Sequence, residues 1–221
     1  MYRIKLIVIS SVAALAFSAT AASSASAFAW WIETEKGREI LLRGKAPFNS
    51  AANVTKPVSF TWNKEFTVSC RKVKYDEGFI EGPVALGASS IVLEECAATS
   101  PANCNLTNRT IETTALTGEI RQTKAVTSEV EFEFKPKSGT LLASITLEGS
   151  GCSKREVRFL GAVVGELTKP KELTKEKSFD FESKGKLEVL EKIVERGEAA
   201  HEVEKNEGNS GYSATSGWSA H

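Results

Sequence analysis

Apolar and polar positions alternate in short runs through the middle of the chain. Val58, Phe60 and Trp62 share one side of an extended segment, and Phe66, Val68 and Cys70 share one side of the next. Asn63-Lys64 lies between them as a two-residue turn, so 58–70 is predicted to be a hairpin. Over 128–134, Val130, Phe132 and Phe134 alternate with three glutamates, and a turn at 136–139 leads to 141–147, the expected antiparallel partner. Further strands are expected at 40–43, 79–81, 91–96, 111–122 and 157–164. Many short strands broken by Gly and Pro predict a mainly β chain, an antiparallel sandwich or a barrel-like domain.

Both ends depart from this rhythm. Arg3 and Lys5 precede an apolar run from Leu6 to about Ala21, and Ala25-Ser26-Ala27 supplies a small-x-small site. Residues 1–27 are therefore expected to be a signal peptide cleaved after Ala27, with cleavage after Ala29 the alternative. No later run is apolar enough to span a bilayer, so a secreted or extracellular location is expected. At the other end, 20 of the 39 residues in 169–207 are charged. Within 186–196, Leu187, Leu190 and Val194 stand at helical spacing with Ile193 beside them, and Gly197 could end the turn. A helix is predicted there; a strand would group Leu187, Val189 and Ile193 and waste Leu190 and Val194. The chain thus divides into a signal peptide (1–27), a β-rich domain (28–168) and a charged segment with a Gly/Ser-rich tail (169–221).

Charge changes the picture by exclusion. The 28 basic and 28 acidic residues balance, and cleavage removes only Arg3 and Lys5. Without a basic excess, neither a nucleic-acid partner nor a polybasic membrane contact is expected. The four cysteines, Cys70, Cys96, Cys104 and Cys152, all follow the signal, an even number suited to an oxidising compartment. Three pairings are open to them. The nested one, Cys96–Cys104 inside Cys70–Cys152, is favoured because 97–103 contains Pro and Asn and can turn the chain back. Zinc would need C-x2-C spacing or nearby histidines, and no metal or cofactor is expected.

Candidate chemistry is sparse. The two histidines, His201 and His221, lie in a charged stretch and at the last position, and no G-x-S-x-G elbow accompanies them. No residue is therefore assigned a catalytic role. Asp76, Glu77, Glu81, Glu94 and Glu95 cluster in sequence and could supply paired carboxylates for glycoside hydrolysis, although edge-strand charge is the plainer account. Trp30, Trp31 and Trp218 are the candidates for stacking on a ligand, sugar rings in particular.

Val68-Ser-Cys70 is followed by Gly78-Phe-Ile-Glu-Gly82, then by Ile91-Val-Leu-Glu-Glu-Cys96, Leu116-Thr-Gly-Glu-Ile120, and Ile145-Thr-Leu-Glu-Gly-Ser-Gly-Cys152 leading to Val163-Val-Gly-Glu-Leu167. This set of local patterns resembles a group of exported, functionally uncharacterised, β-rich disulfide-containing proteins of soil actinobacteria. The resemblance spans about 28–167 and implies a disulfide-stapled β fold without an activity. The expected function is a non-enzymatic extracellular or cell-surface protein with a binding or structural role, its partner a polysaccharide or a protein. The alternatives are a small carboxylate-dependent polysaccharide hydrolase and a secreted protein inhibitor.

Overall fold

The computed structural model describes residues 29–41, 43–50, 56–82, 84–122, 130–167, 174–181, 187–193 and 197–220. These form twenty strands and no helix. In chain order they are β1 (Trp30–Thr34), β2 (Gly37–Ile40), β3 (Lys45–Ser50), β4 (Val58–Trp62), β5 (Phe66–Cys70), β6 (Lys72–Asp76) and β7 (Gly78–Glu81). There follow β8 (Ala85–Ala88), β9 (Ser90–Glu94), β10 (Ala97–Ser100), β11 (Asn105–Leu106), β12 (Ile111–Glu112) and β13 (Leu116–Gln122). The last are β14 (Val130–Pro136), β15 (Leu141–Gly149), β16 (Cys152–Gly161), β17 (Val163–Leu167), β18 (Thr174–Phe181), β19 (Leu187–Ile193) and β20 (Gly197–Ala220).

The ladders resolve into a closed ring and an open sheet that share one strand. In the ring, β3, β7, β8, β13, β14, β17, β18 and β20 pair in that order and β20 returns to β3, every pair antiparallel. Closure leaves no unpaired sheet edge in that barrel. The open sheet runs β10, β5, β4, β20, β19, β16, β15, β11, also antiparallel throughout. Strand β20 serves both, pairing β19 and β4 through residues 197–207 and β18 and β3 further along. Three short strands, β12, β9 and β6, form a separate small sheet, and the β1–β2 hairpin attaches to the end of β20.

Alternation in the sequence becomes burial in the structure. Val58, Phe60 and Trp62 of β4 and Phe66, Val68 and Cys70 of β5 are all buried, in the register Val58↔Cys70, Phe60↔Val68, Trp62↔Phe66. Their turn places Asn63 and Lys64 at φ 49° and 54°, the left-handed region that a primed hairpin turn requires and that Asn tolerates. Val130, Phe132 and Phe134 are wholly buried in β14, and Phe134 approaches Tyr75 across the core.

Five expectations need correction. The strand at 141–147 does not pair with 128–134. Both edges of β14 are taken by β13 and β17, and the turn after Pro136 carries the chain into the other sheet, where β15 pairs β16 and β11. The run 111–122 is two strands, β12 on β9 and β13 in the barrel, and 157–164 is likewise divided at Gly161, whose φ of 103° breaks the extended chain.

The helix expected at 186–196 is strand β19 over its described part, between β16 and β20. Its inward residues are Leu187, Val189 and Glu191. The period of two was hidden because one of its core positions is a glutamate.

The cysteines all pair, but sequentially: Cys70–Cys96 and Cys104–Cys152. The stretch after Cys96 does not turn back; it extends as β10 along β5, with Ala97 opposite Ser69, which sets Cys96 beside Cys70. Cys104 is then carried to the β15–β16 turn, where β11 pairs the end of β15. Gly149 and Gly151 seat it there, because a Cβ at either would overlap the carbonyl oxygen of Asn103 or Ala102.

Candidate functional site

A cleft of about 480 Å³ lies across β3, β7, β8 and β13 of the barrel. Alternation along β7 creates one wall: Ile80 is buried while Phe79 and Glu81 are half-buried on the other face. Register supplies the neighbours, Lys45 opposite Glu81, Phe79 opposite Gly87 and Gly87 opposite Thr117. Gly87 makes room for the aromatic ring, since a Cβ there would come within 2.7 Å of Phe79 and 2.9 Å of the Leu116 carbonyl oxygen. The Lys45 ammonium lies over the ring, 4.0 Å from its centroid, and 3.7 Å from Glu81 Oε2.

The other end of the cleft is formed where these strands meet their turns. Glu77, at φ 46° between β6 and β7, accepts a hydrogen bond from Ser89 Oγ at 2.6 Å. Lys137 is held alongside by its own backbone, its N–H donating to the Ala115 carbonyl at 2.7 Å. Ala85, Ala115 and Thr117 also line the cleft, keeping it open with short side chains. Two ammonium and two carboxylate groups thus surround an aromatic ring and several small residues, a lining without net charge. A second cavity, of about 40 Å³, sits inside the core among Val58, Phe60, Leu93, Phe134 and Phe159. It is too small and too apolar for anything beyond imperfect packing.

The residues singled out in the sequence fall in separate places, the tryptophans on the β1–β20 ladder and the carboxylates elsewhere. Trp30 is fully buried, its indole N–H donating to the Ala85 carbonyl at 2.8 Å, so its ring offers no face to a ligand. Trp31 is half-buried with the Arg38 guanidinium 4.8 Å from its ring centroid. Trp218 stands in β20 opposite Ile32 of β1 and Thr174 of β18, one position along from the Trp31–Ser219 pair. The β1–β20 ladder thus carries all three tryptophan positions, with Trp30 closed off by burial and Trp31 held against Arg38. His201 sits in β20 opposite Val189, and His221 lies outside the described residues.

The acidic cluster divides in the same way. Glu81 and Glu77 share the cleft, whereas Glu94, at the end of β9, and Glu95, just after it, contact lysines of β6, Lys74–Glu94 and Lys72–Glu95, each at 2.5 Å. The hydrogen bond from Lys72, reinforced by its charge, holds the Glu95 carboxyl below the ordinary glutamate range, and the same bond raises the Lys72 ammonium. Asp76 is exposed at the end of β6. Among the described residues, no group of three or more His, Cys, Asp or Glu could hold a metal ion, and no helix is long and apolar enough to cross a membrane.

Lys45, Thr117 and Lys137 carry no sign of a shared site in the sequence. Only Phe79 and Glu81 carried a signal, two residues apart on one face of a predicted strand; the others meet them through register, which no local pattern encodes. Compared with protein-family models, with curated proteins and with solved structures, the chain matches none of them.

Proposed function

We propose that this chain is a non-enzymatic exported protein whose disulfide-stapled β domain binds a partner outside the cytoplasmic membrane. The observation that carries the reading is the complete use of the cysteines. All four are in disulfides, and Cys70, Cys96 and Cys104 are buried. Such pairs persist where thiols are not kept reduced, which agrees with the signal-like first 27 residues and with the resemblance to exported actinobacterial proteins. The cleft supplies a place for binding. Its carboxylates are engaged by Lys45 and Ser89, an arrangement suited to holding a ligand through several polar contacts.

A carboxylate-dependent hydrolase is the second reading, favoured by one observation, that Glu77 and Glu81 line the same cleft. The test is to secrete the full chain from a host with a signal peptidase, recover the mature form, and capture partners from envelope and polysaccharide fractions. The proposed role gives a chain starting at Phe28, retention on one fraction and no release of reducing sugar. A chain that stays intracellular and reduced contradicts it. Turnover that disappears in Glu77→Gln and Glu81→Gln establishes the hydrolase instead.

A further inference from the structure

We infer that the cleft across β3, β7, β8 and β13 is a binding site for a neutral, hydroxyl-rich ligand, a short stretch of uncharged polysaccharide. The inference rests on the binding role proposed above and assigns it a site and a ligand class.

Three observations narrow the ligand. The first is charge: Lys45 and Lys137 against Glu77 and Glu81 leave no net field to attract a polyanion or a polycation. The second is the backbone. Strands β7, β8 and β13 are interior to the closed ring, each laddered on both sides, so their amides cannot add a peptide strand. Recognition falls to side chains.

The third is the side-chain set itself. Carboxylates accept hydrogen bonds from hydroxyls, ammonium groups donate to them, and Thr117 and Ser89 do both. The part of the Phe79 ring left open between Gly87 and Lys45, with the methyl groups of Ala85 and Ala115, offers apolar contact to C–H groups. A pyranose presents this mixture of hydroxyl edges and C–H faces. The volume, about 480 Å³, falls within the size of small-ligand sites. Phe79 arrives pre-positioned, packed on Gly87 beneath Lys45, so little side-chain freedom remains to be lost on binding.

The experiment titrates the exported, disulfide-intact chain with cellohexaose, chitohexaose and maltohexaose, and with polygalacturonate as the charged comparison. Saturable binding of a neutral oligosaccharide is expected, weakened about tenfold or more by Phe79→Ala, as for an aromatic anchor at the centre of a contact. Ala115→Gln, at an exposed position, fills the cleft without disturbing the core and should abolish binding while the melting temperature stays put, which keeps the test decisive should Phe79→Ala unfold. Trp31→Ala should bind normally. The inference is overturned if none of the neutral oligosaccharides binds, if only polygalacturonate does, or if Ala115→Gln leaves binding intact. Should a partner still be captured from envelope fractions under those results, the binding role stands and only this site and ligand class fall.

Discussion

The same three chemical groups meet twice in this molecule, once at its surface and once inside it. In the cleft, a lysine lies over a phenylalanine and beside a glutamate: Lys45 over Phe79, 3.7 Å from Glu81. Within the open sheet, an arginine does the same. Arg155 lies with its guanidinium 4.3 Å from the centre of Phe66 and donates to Glu191 Oε2 at 3.2 Å. The surface pair is 57% and 44% exposed, the interior pair 10% and 2%. Burial decides what each can do. Water screens Lys45 and Glu81 and can be displaced from them by a ligand. Arg155 and Glu191 have given up their hydration and depend on each other, on the indole N–H of Trp62, which donates to Glu191 Oε1, and on the Ser153 carbonyl, which accepts from Arg155 Nε at 3.2 Å. That interior set joins β4, β5, β16 and β19, and so holds the charged C-terminal part of the chain to the rest.

The largest effect is expected from breaking the interior set on one side. Arg155→Ala takes the Arg155 guanidinium away from a buried carboxylate and should destabilise the fold by about 3–5 kcal/mol in urea unfolding. The paired change Arg155→Met with Glu191→Gln should recover much of that loss, because it removes both charges and keeps an acceptor for the Trp62 indole N–H. A single substitution as costly in the pair as alone would show that the contact does not hold β19.

The disulfide beside this set comes next. Cys152 opens β16 three positions before Arg155, and its bond to Cys104 closes a separation of 48 residues, against 26 for Cys70–Cys96. On loop entropy alone, Cys104→Ser with Cys152→Ser should cost about 4 kcal/mol and Cys70→Ser with Cys96→Ser about 3.5 kcal/mol. Cys152 is the only one of the four that is not buried, so limited reductant followed by alkylation should label Cys104 and Cys152 first. Labelling of Cys70 and Cys96 first would contradict the burial pattern.

At the surface, Lys45→Ala should change stability by less than about 1 kcal/mol in the same unfolding assay. The contrast with Arg155 sharpens if Lys45→Ala nevertheless alters ligand affinity. The smallest effect belongs to Lys72–Glu95. Because the Glu95 carboxyl is lowered in the fold, its contribution is present at neutral pH and is lost as acid titrates it below the ordinary glutamate range. The Lys72 ammonium is raised, so its contribution is complete below the ordinary lysine range and fades at more alkaline pH. Glu95→Gln should flatten the acidic side of the stability–pH curve slightly; an unchanged curve would show the pair to be inert.

Legibility in the sequence followed the same division between local and distant causes. The β4–β5 hairpin could be read because a period of two, a left-handed Asn and a short turn lie within thirteen residues of one another. Strand β14 could be read for the same reason, but its partners could not, since both of its edges are filled by strands distant or divided in sequence. The nature of β19 was concealed by Glu191, a core position that looks like surface until Arg155 and Trp62, 36 and 129 residues away, are brought to it. The cysteine pairing failed similarly: a segment with turn-forming residues was drawn out by pairing with β5. The cleft was the least visible feature, since its walls come from four strands and depend on a glycine whose role is to be absent beside a ring.

The most direct measurement of the difference between the two sets is a pair of double-mutant cycles on unfolding free energy, Arg155/Glu191 against Lys45/Glu81, each position changed to alanine singly and together. Burial should give the interior pair a coupling energy of about 2 kcal/mol or more and the surface pair about 0.5 kcal/mol or less. Equal couplings, or a larger one at Lys45/Glu81, would contradict the assignment of the interior set to the fold and of the cleft to a ligand.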